Sequence, residues 1–181
     1  GIFLLISLIS YSPGDPNFIF PENTEIKNIL GFKGSYISDL FLQSVGLISY
    51  LIPFTFIFTG ISIFRKKNLF LIIENIFYTI PYSLIGSLFF SHFYKNTFFL
   101  YINGNGGFVG NYLNQTFLNN IISSYEGITY YFLLILIFIF FLISINFNLK
   151  DSFLLFKKII LIIFQKNKKN YTNKNSRIQQ G

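Results

Sequence analysis

The stretch from Gly127 to Phe147, GITYYFLLILIFIFFLISINF, holds 21 consecutive residues without a charged side chain. At a rise of about 1.5 Å per residue, a helix of this length reaches roughly 30 Å, the thickness of the hydrocarbon core of a bilayer. Polar residues do not recur along it at helical spacing, so it lacks the polar stripe of a soluble surface helix. The stretch therefore predicts a transmembrane helix.

Two further stretches have the same character. Val45–Phe64 has 20 residues without a charge, and Leu69–Tyr94 is at least as long, with Glu74 as its single acidic residue. The first eleven residues, GIFLLISLISY, are too short to cross a bilayer and are interpreted as the end of a further span. The predicted fold is an all-α polytopic membrane protein with four transmembrane helices, at about residues 1–11 (partial), 45–64, 69–92 and 127–146.

The composition agrees with a membrane protein and excludes several kinds of site. Hydrophobic residues make up 52% of the 181 residues and charged residues 12%, about half the charged share of a soluble domain. The absence of Cys and the single His exclude a disulfide framework, a cysteine nucleophile and a multi-histidine metal centre. Met is also absent, so the chain is interpreted as a fragment of a longer protein.

The basic residues predict the orientation of the spans. Most of them follow either the second or the fourth span, and the orientation-setting ones are Arg65, Lys66, Lys67, Lys157 and Lys158. Two spans separate these groups, so a single orientation places both in the cytoplasm. The loops at 12–44 and 95–126 are then outside, and both ends of the chain are cytoplasmic.

A short pattern occurs twice in the chain. GFKGSY at 31–36 resembles GFVGNY at 107–112, and in each copy the pattern leads through a mixed segment into the next span. The paired glycines are Gly31, Gly34, Gly107 and Gly110. The repetition predicts two parallel-repeat hairpins, each with an outer amphipathic helix, related by an axis near the membrane normal. Coincidence in a chain rich in Gly, Phe and Tyr is the alternative.

Of the two segments that mix apolar and polar residues, the one around the second pattern predicts its helix most clearly. Val109, Leu113, Phe117 and Ile121 fall on one helical face. A helix of this kind would lie along the outer surface of the membrane, with its apolar side in the headgroup region.

Few small residues are available for close contact between spans. The chain has no Ala, so Gly46, Gly60, Gly86 and the serines are predicted to carry the close packing.

The part of the chain after the fourth span changes character. Phe153–Phe164 is apolar except for Lys157 and Lys158 and is too short to cross, which predicts a cytoplasmic interfacial helix at 149–164 after a membrane domain at 1–148. Residues 165–181 are rich in Lys, Asn and Gln, a composition typical of the start of a disordered linker.

A motif at the outer end of the first span resembles that of a known family. Ser10-Tyr-Ser-Pro-Gly-Asp-Pro16 is similar to the Ser-Tyr-x-Pro-x-Asp-Pro signature of the FtsK/SpoIIIE family of bacterial DNA translocases. The motif residues are Ser10, Tyr11, Pro13, Asp15 and Pro16, and their role is interpreted as structural. The order of loops, spans and basic residues also resembles that family's N-terminal four-span domain. After the fourth span the chain departs from it, since members often carry a Gly-x-Ser-Trp-like step there.

The resemblance implies a non-catalytic membrane anchor for a septum-located DNA translocase that acts in cell division and chromosome segregation. The implied ATPase motor, with its ATP, Mg and contact with DNA, would lie outside this chain, which contains no Gly-x-x-x-x-Gly-Lys-Ser/Thr loop. No catalytic, cofactor-binding or metal-binding residue is predicted in the fragment. The expected location is the bacterial inner membrane, and the expected partners are the lipid bilayer, further copies of the chain and other division proteins.

A membrane transporter or channel is the alternative function. It needs a polar path, for which the spans offer Glu74, Asn75 and scattered Ser and Thr. Glu74 lies near the predicted cytoplasmic interface, which favours a surface position or a bond between helices, and interfacial packing is favoured for His92. A membrane-embedded enzyme is a third interpretation, and it lacks a nucleophile–base pair.

Overall fold

The computed structural model describes residues 1–16, 25–95, 100 and 102–147. Regular structure within these residues is helical, with no β-strand. The elements in chain order are α1 (Ile2–Ile9), α2 (Gly31–Val45), a 3₁₀ helix (Gly46–Leu51), α3 (Ile52–Lys66), α4 (Phe70–Phe93), α5 (Gly107–Asn114), α6 (Phe117–Ser124) and α7 (Glu126–Ser144). The predicted all-α class is confirmed.

The chain divides into two compact units after residue 146. Gly1–Asn146 is the helical unit, and of Phe147–Gly181 the structure describes only the first residue. The predictions that fall outside the described residues concern the interfacial helix at 149–164, Lys157, Lys158 and the linker at 165–181.

Three helical stretches are long and apolar enough to cross a membrane, namely Gly31–Lys66, Phe70–Phe93 and Glu126–Ser144. The first comprises 36 residues, because α2, the 3₁₀ helix and α3 follow one another without a loop. The helix α1 has 8 residues and therefore rises about 12 Å, which is too short to cross. It occupies the position of the predicted partial span.

Gly46 makes the bend between α2 and the 3₁₀ helix. Its φ is 73°, in the left-handed region that glycine adopts readily. A Cβ at this position would collide with the carbonyl oxygen of Asn105, which accepts a 2.9 Å hydrogen bond from the N–H of Leu47. Both the conformation and the space at this bend therefore require glycine.

The bundle is built around α4. This helix packs against α7, α5, α3 and the 3₁₀ helix, while α1 packs against α2 and α3. Tyr82 of α4 is completely buried, and its ring meets that of Phe141 edge-on at a centroid distance of 5.8 Å. Leu8 of α1 and Leu42 of α2 belong to the same core.

The two ends of the bundle differ in chemistry. Arg65, Lys66 and Lys67 lie exposed where α3 leads into α4, and we call this the basic end. The opposite end of α4 meets the segment that carries Gly106 and Gly107, and we call it the glycine end. Between the two ends most outward-facing side chains are apolar, for example Phe77 (66% exposed) and Phe138 (61% exposed). A surface of this kind suits contact with acyl chains.

The second mixed segment differs from its prediction. It forms two short helices, α5 and α6, because Thr116 bonds the backbone on both sides of the break. Its hydroxyl donates to the Leu113 carbonyl at 2.6 Å and accepts from the Leu118 N–H at 3.3 Å. The four residues predicted on one face therefore separate, with Val109 and Leu113 half-buried and Phe117 and Ile121 exposed.

The glycines that are predicted to carry close packing between spans differ in their surroundings. A Cβ at Gly86 would overlap the side chain of Ile48, whereas a Cβ at Gly60 would meet nothing within 4 Å. Gly46 and Gly86 thus allow close contacts, and Gly60 lies on an open surface of α3.

We expect Gly86→Leu to lower the free energy of unfolding by about 2 kcal/mol or more, because it overpacks the contact with Ile48. The matched control is Gly60→Leu, which should stay within about 0.5 kcal/mol of the wild type. Thermal unfolding of the purified protein in detergent measures both. Equal melting temperatures of the two variants would contradict the packing described for Gly86.

Candidate functional site

The motif after α1 forms the start of a long loop, and Asp15 bonds the end of that loop back to its start. Asp15 is 2% exposed, and its two carboxylate oxygens accept hydrogen bonds from the N–H groups of Lys27 at 2.9 Å and Asn28 at 2.8 Å. Charge-assisted bonds from backbone N–H groups to a buried carboxylate are among the stronger ones in proteins. Asp15 thus has partners twelve and thirteen residues along the chain, in addition to the local bond from its own N–H to the Ser12 carbonyl at 3.1 Å.

Other motif residues bond the same returning segment or the helix after it. The hydroxyl of Ser10 donates to the Ile6 carbonyl at 2.7 Å and accepts from the Ile29 N–H at 3.2 Å. The carbonyl of Pro16 accepts from Ser35 of α2 at 2.7 Å. Pro13 lies in the turn before Asp15. The motif thus holds α2 against the end of α1.

Tyr11 connects the motif to a second buried carboxylate. Its hydroxyl donates to Oδ1 of Asp39 at 3.3 Å, and the amide of Gln43 donates to the same oxygen at 3.4 Å. Asp39 is 4% exposed. Asp39 is not among the site residues predicted from the sequence, although a single acidic residue in the otherwise uncharged stretch 34–45 was the available signal.

The first glycines of the two repeated patterns have the same backbone geometry. Gly31 begins α2 with a φ of 64°, and Gly107 begins α5 with a φ of 66°. The N–H of each donates to the carbonyl three residues earlier, at 2.8 Å for Asn28 and 3.1 Å for Gly104. The surroundings differ, since a Cβ at Gly107 would lie 2.5 Å from the Gly46 nitrogen, whereas Gly31 faces open space.

The second glycines allow close approach to a neighbouring segment. The carbonyl of Gly34 accepts a 2.7 Å bond from Ser7 of α1, and a Cβ at Gly34 would collide with the side chain of Asn28. A Cβ at Gly110 would collide with the carbonyl oxygen of Ser87 on α4. In each copy, the helix that begins at the pattern lies directly on the helix before it, α2 on α1 and α5 on α4.

A buried polar network joins three helices near the basic end. The hydroxyl of Thr55 lies 3.0 Å from that of Tyr82 and 2.9 Å from that of Ser144. One turn later in α3, Thr59 accepts a 2.7 Å bond from the amide of Asn75, and the side-chain oxygen of that amide accepts a 2.6 Å bond from Asn146. The sequence singles out Asn75 as a polar residue within a span but does not give its partners. The pair Thr55 and Thr59, four residues apart in an apolar helix, was the available signal.

The remaining charged and titratable candidates lie at the edges of the bundle. Glu74 is exposed on α4, next to the buried Asn75. Nδ1 of His92 lies 3.2 Å from the side-chain oxygen of Asn114 and 3.0 Å from that of Asn119, so it joins α4 to α5 and α6. Within the described part of the chain, no group of three or more metal-ligating side chains is present.

Comparison with known proteins gives one family and several relatives. The model of the 4TM region of DNA translocase FtsK/SpoIIIE matches residues 1–157. DNA translocase FtsK of Shewanella oneidensis is 30% identical over 87 residues, which are 48% of this chain and 9% of that protein. The FtsK of Rickettsia typhi is 38% identical over 53 residues, or 29% of this chain and 7% of the relative. That of Rickettsia bellii is 31% identical over 67 residues, or 37% and 9%.

Each match covers less than a tenth of the relative's length. No solved structure matches the chain.

We expect Asp15→Ala to destabilise the protein by about 1–3 kcal/mol, because it leaves the buried N–H of Asn28 without an acceptor and removes the acceptor of the partly buried N–H of Lys27. Thermal unfolding in detergent measures the loss, and hydrogen exchange at the amides of Lys27 and Asn28 reports it locally. Ser12→Ala, in the same turn, is the control and should leave both readouts unchanged. Unchanged protection of the two amides in Asp15→Ala would contradict the assigned bonds.

Proposed function

The chain belongs to the family of four-transmembrane regions of FtsK/SpoIIIE DNA translocases, and from this membership we propose that it anchors a DNA-translocating ATPase in the bacterial inner membrane at the division septum. The observation that carries the proposal is the family match over residues 1–157, a range that includes every described helix. The apolar outer surface and the three helices long enough to cross a membrane support it.

The mechanism of this part is attachment. A tether confines its cargo to one place and so raises the effective concentration of that cargo there. ATP, Mg and DNA are contacted by the motor, outside these 181 residues. Further copies of the chain and other division proteins of the membrane are its partners in this scheme.

In the proposed topology α3, α4 and α7 each cross the membrane, and α1 is the partial first of four spans. The pairs α1 with α3 and α4 with α7 form two parallel-repeat hairpins, and α2 and the α5–α6 segment lie at the outer face. The like geometry of Gly31 and Gly107 supports the repeat. The exposed Arg65–Lys67 segment supports a cytoplasmic basic end, with both ends of the chain on that side.

A transporter or channel is less well supported. Its best candidate path is the network of Thr55, Thr59 and Asn75, whose hydroxyl and amide groups bond one another across α3, α4 and α7. Side chains bonded in this way favour helix packing over a water-filled route. Glu74 points to the outside of the bundle and adds nothing to such a route.

Localisation and activity together test the anchor. A fluorescent fusion of residues 1–181 should collect at the division septum, and the full gene product should hydrolyse ATP faster when duplex DNA is added. The matched control is the fusion with Asp15→Ala, which should lose part of the septal signal through instability. Uniform membrane fluorescence of the wild-type fusion would contradict the septal role, and further spans in place of an ATPase downstream would contradict the anchor.

The orientation can be tested with single cysteines, because the chain has none of its own. Gln115→Cys, between α5 and α6, should react with a membrane-impermeant maleimide added to spheroplasts. Asn68→Cys, between α3 and α4, should react only after the membrane is opened. The reverse pattern of labelling would invert the proposed orientation.

A further inference from the structure

A nearly buried carboxylate lines a cavity at the glycine end of the bundle. Asp39 is 4% exposed, and the cavity beside it has a volume of about 250 Å³. Its wall also includes Tyr36, Leu40, Gln43, Asn103 and Phe108. Cavities of a few hundred Å³ suit small ligands or the end of a larger one.

The charge of Asp39 is not balanced by the described residues. Its two hydrogen-bond donors, the Tyr11 hydroxyl and the Gln43 amide, are neutral, and both bond to Oδ1 at 3.3 and 3.4 Å. Within the described part of the chain, neither an ion pair nor a hydrogen bond reaches Oδ2. Residues 17–24, 96–99 and 101 contain no Lys or Arg. Because a buried carboxylate is costly without a cation, this oxygen is suited to an external one.

The mouth of the cavity is apolar. Leu40 is 56% exposed and Phe108 63% exposed, although both line a cavity with a carboxylate in its wall. The hydroxyls of Tyr94 and Tyr130 meet at 2.9 Å at the same end of the bundle, where tyrosines mark a membrane interface. A ligand that enters here therefore arrives from the headgroup layer, and the aromatic ring of Phe108 also favours a cation.

A second cavity adjoins the first and has the opposite charge. It measures about 220 Å³, shares Asn103 with the first, and is lined by Lys95, Ser91 and Asn111. Ser91 donates to Asn111 at 2.9 Å, and Asn111 donates to the Asn103 carbonyl at 2.7 Å, so its polar wall is fixed. An ammonium and the amide groups of such a wall suit a phosphate.

From this pairing we infer that the glycine end binds the headgroup of phosphatidylethanolamine, with its ammonium on Asp39 and its phosphate beside Lys95. The primary ammonium supplies the N–H donor that Oδ2 lacks. Phosphatidylcholine has the same charges but no N–H group, so it should not complete the site. The acyl chains would lie along the exposed Leu40 and Phe108.

The test compares the two lipids directly. The 181-residue chain is reconstituted in nanodiscs of phosphatidylglycerol mixed with equal amounts of phosphatidylethanolamine and phosphatidylcholine, and the lipid retained on release into detergent is counted by native mass spectrometry. We expect about tenfold more retained phosphatidylethanolamine, the effect of one charge-assisted hydrogen bond. Equal retention of the two lipids would overturn the inference.

Two variants separate the site from general stability. Asp39→Asn keeps an oxygen for Tyr11 and Gln43 but removes the charge, so the protein should stay folded and lose the preference. Glu74→Gln removes a carboxylate charge at the basic end in the same way, and this variant should keep the preference for phosphatidylethanolamine. A folded Asp39→Asn protein that still prefers phosphatidylethanolamine would overturn the assignment to Asp39.

The remaining class of ligand is a basic side chain of a partner protein. The tripeptide Lys-Gly-Gly, added to the detergent-solubilised protein without lipid, probes it. We expect that the tripeptide leaves the melting temperature unchanged and that the lipid preference is observed. A shift that requires Asp39, together with equal lipid retention, would replace the lipid by a protein ligand.

Discussion

The approach of one backbone to another at the glycine end determines how the rest of the bundle is arranged. The N–H of Leu47 bonds the carbonyl of Asn105, and the nitrogen of Gly46 lies where a side chain of Gly107 would begin. Because these positions lack side chains, the bend between α2 and the 3₁₀ helix can dock on the loop before α5. That loop and the first turn of α5 in turn lie on α4, where Gly106 and Gly110 meet Ser87. The first and second halves of the Gly1–Asn146 unit are thereby both placed against α4.

The long helices and the helix starts could be predicted because their causes are local. An uncharged run such as Gly127–Phe147 is required by the bilayer itself, which offers no water to unpaired backbone groups. Gly31 and Gly107 were found by repetition, and each has the positive φ that favours glycine at the first residue of its helix. The basic residues Arg65, Lys66 and Lys67 also fall at a helix end, the C-terminal end of α3, as their charge requires.

The contacts between distant segments could not be predicted because the sequence does not give their partners. Asp15 stands in a Pro-Gly-Asp-Pro sequence that is typical of a turn, yet its carboxylate oxygens accept hydrogen bonds from the distant N–H groups of Lys27 and Asn28. Thr116 divides a helical face that the periodicity shows as continuous, since a hydroxyl can replace backbone bonding locally. Asn75 looks isolated among apolar residues, and only the folded chain places Thr59 and Asn146 around it.

Under the proposed function the chain also carries force, and the side chain of Asn146 gives tension a second route into this bundle beside the backbone. The residue lies at the last position of the helical unit, with a φ of 52°, and its amide bonds Asn75 on α4. Under the proposed function, a pull from the cytoplasmic side reaches α4 through this bond as well as through the backbone of α7. Since α4 touches α3, α5, α7 and the 3₁₀ helix, the load is shared across the bundle. A single peripheral helix is then not drawn out alone.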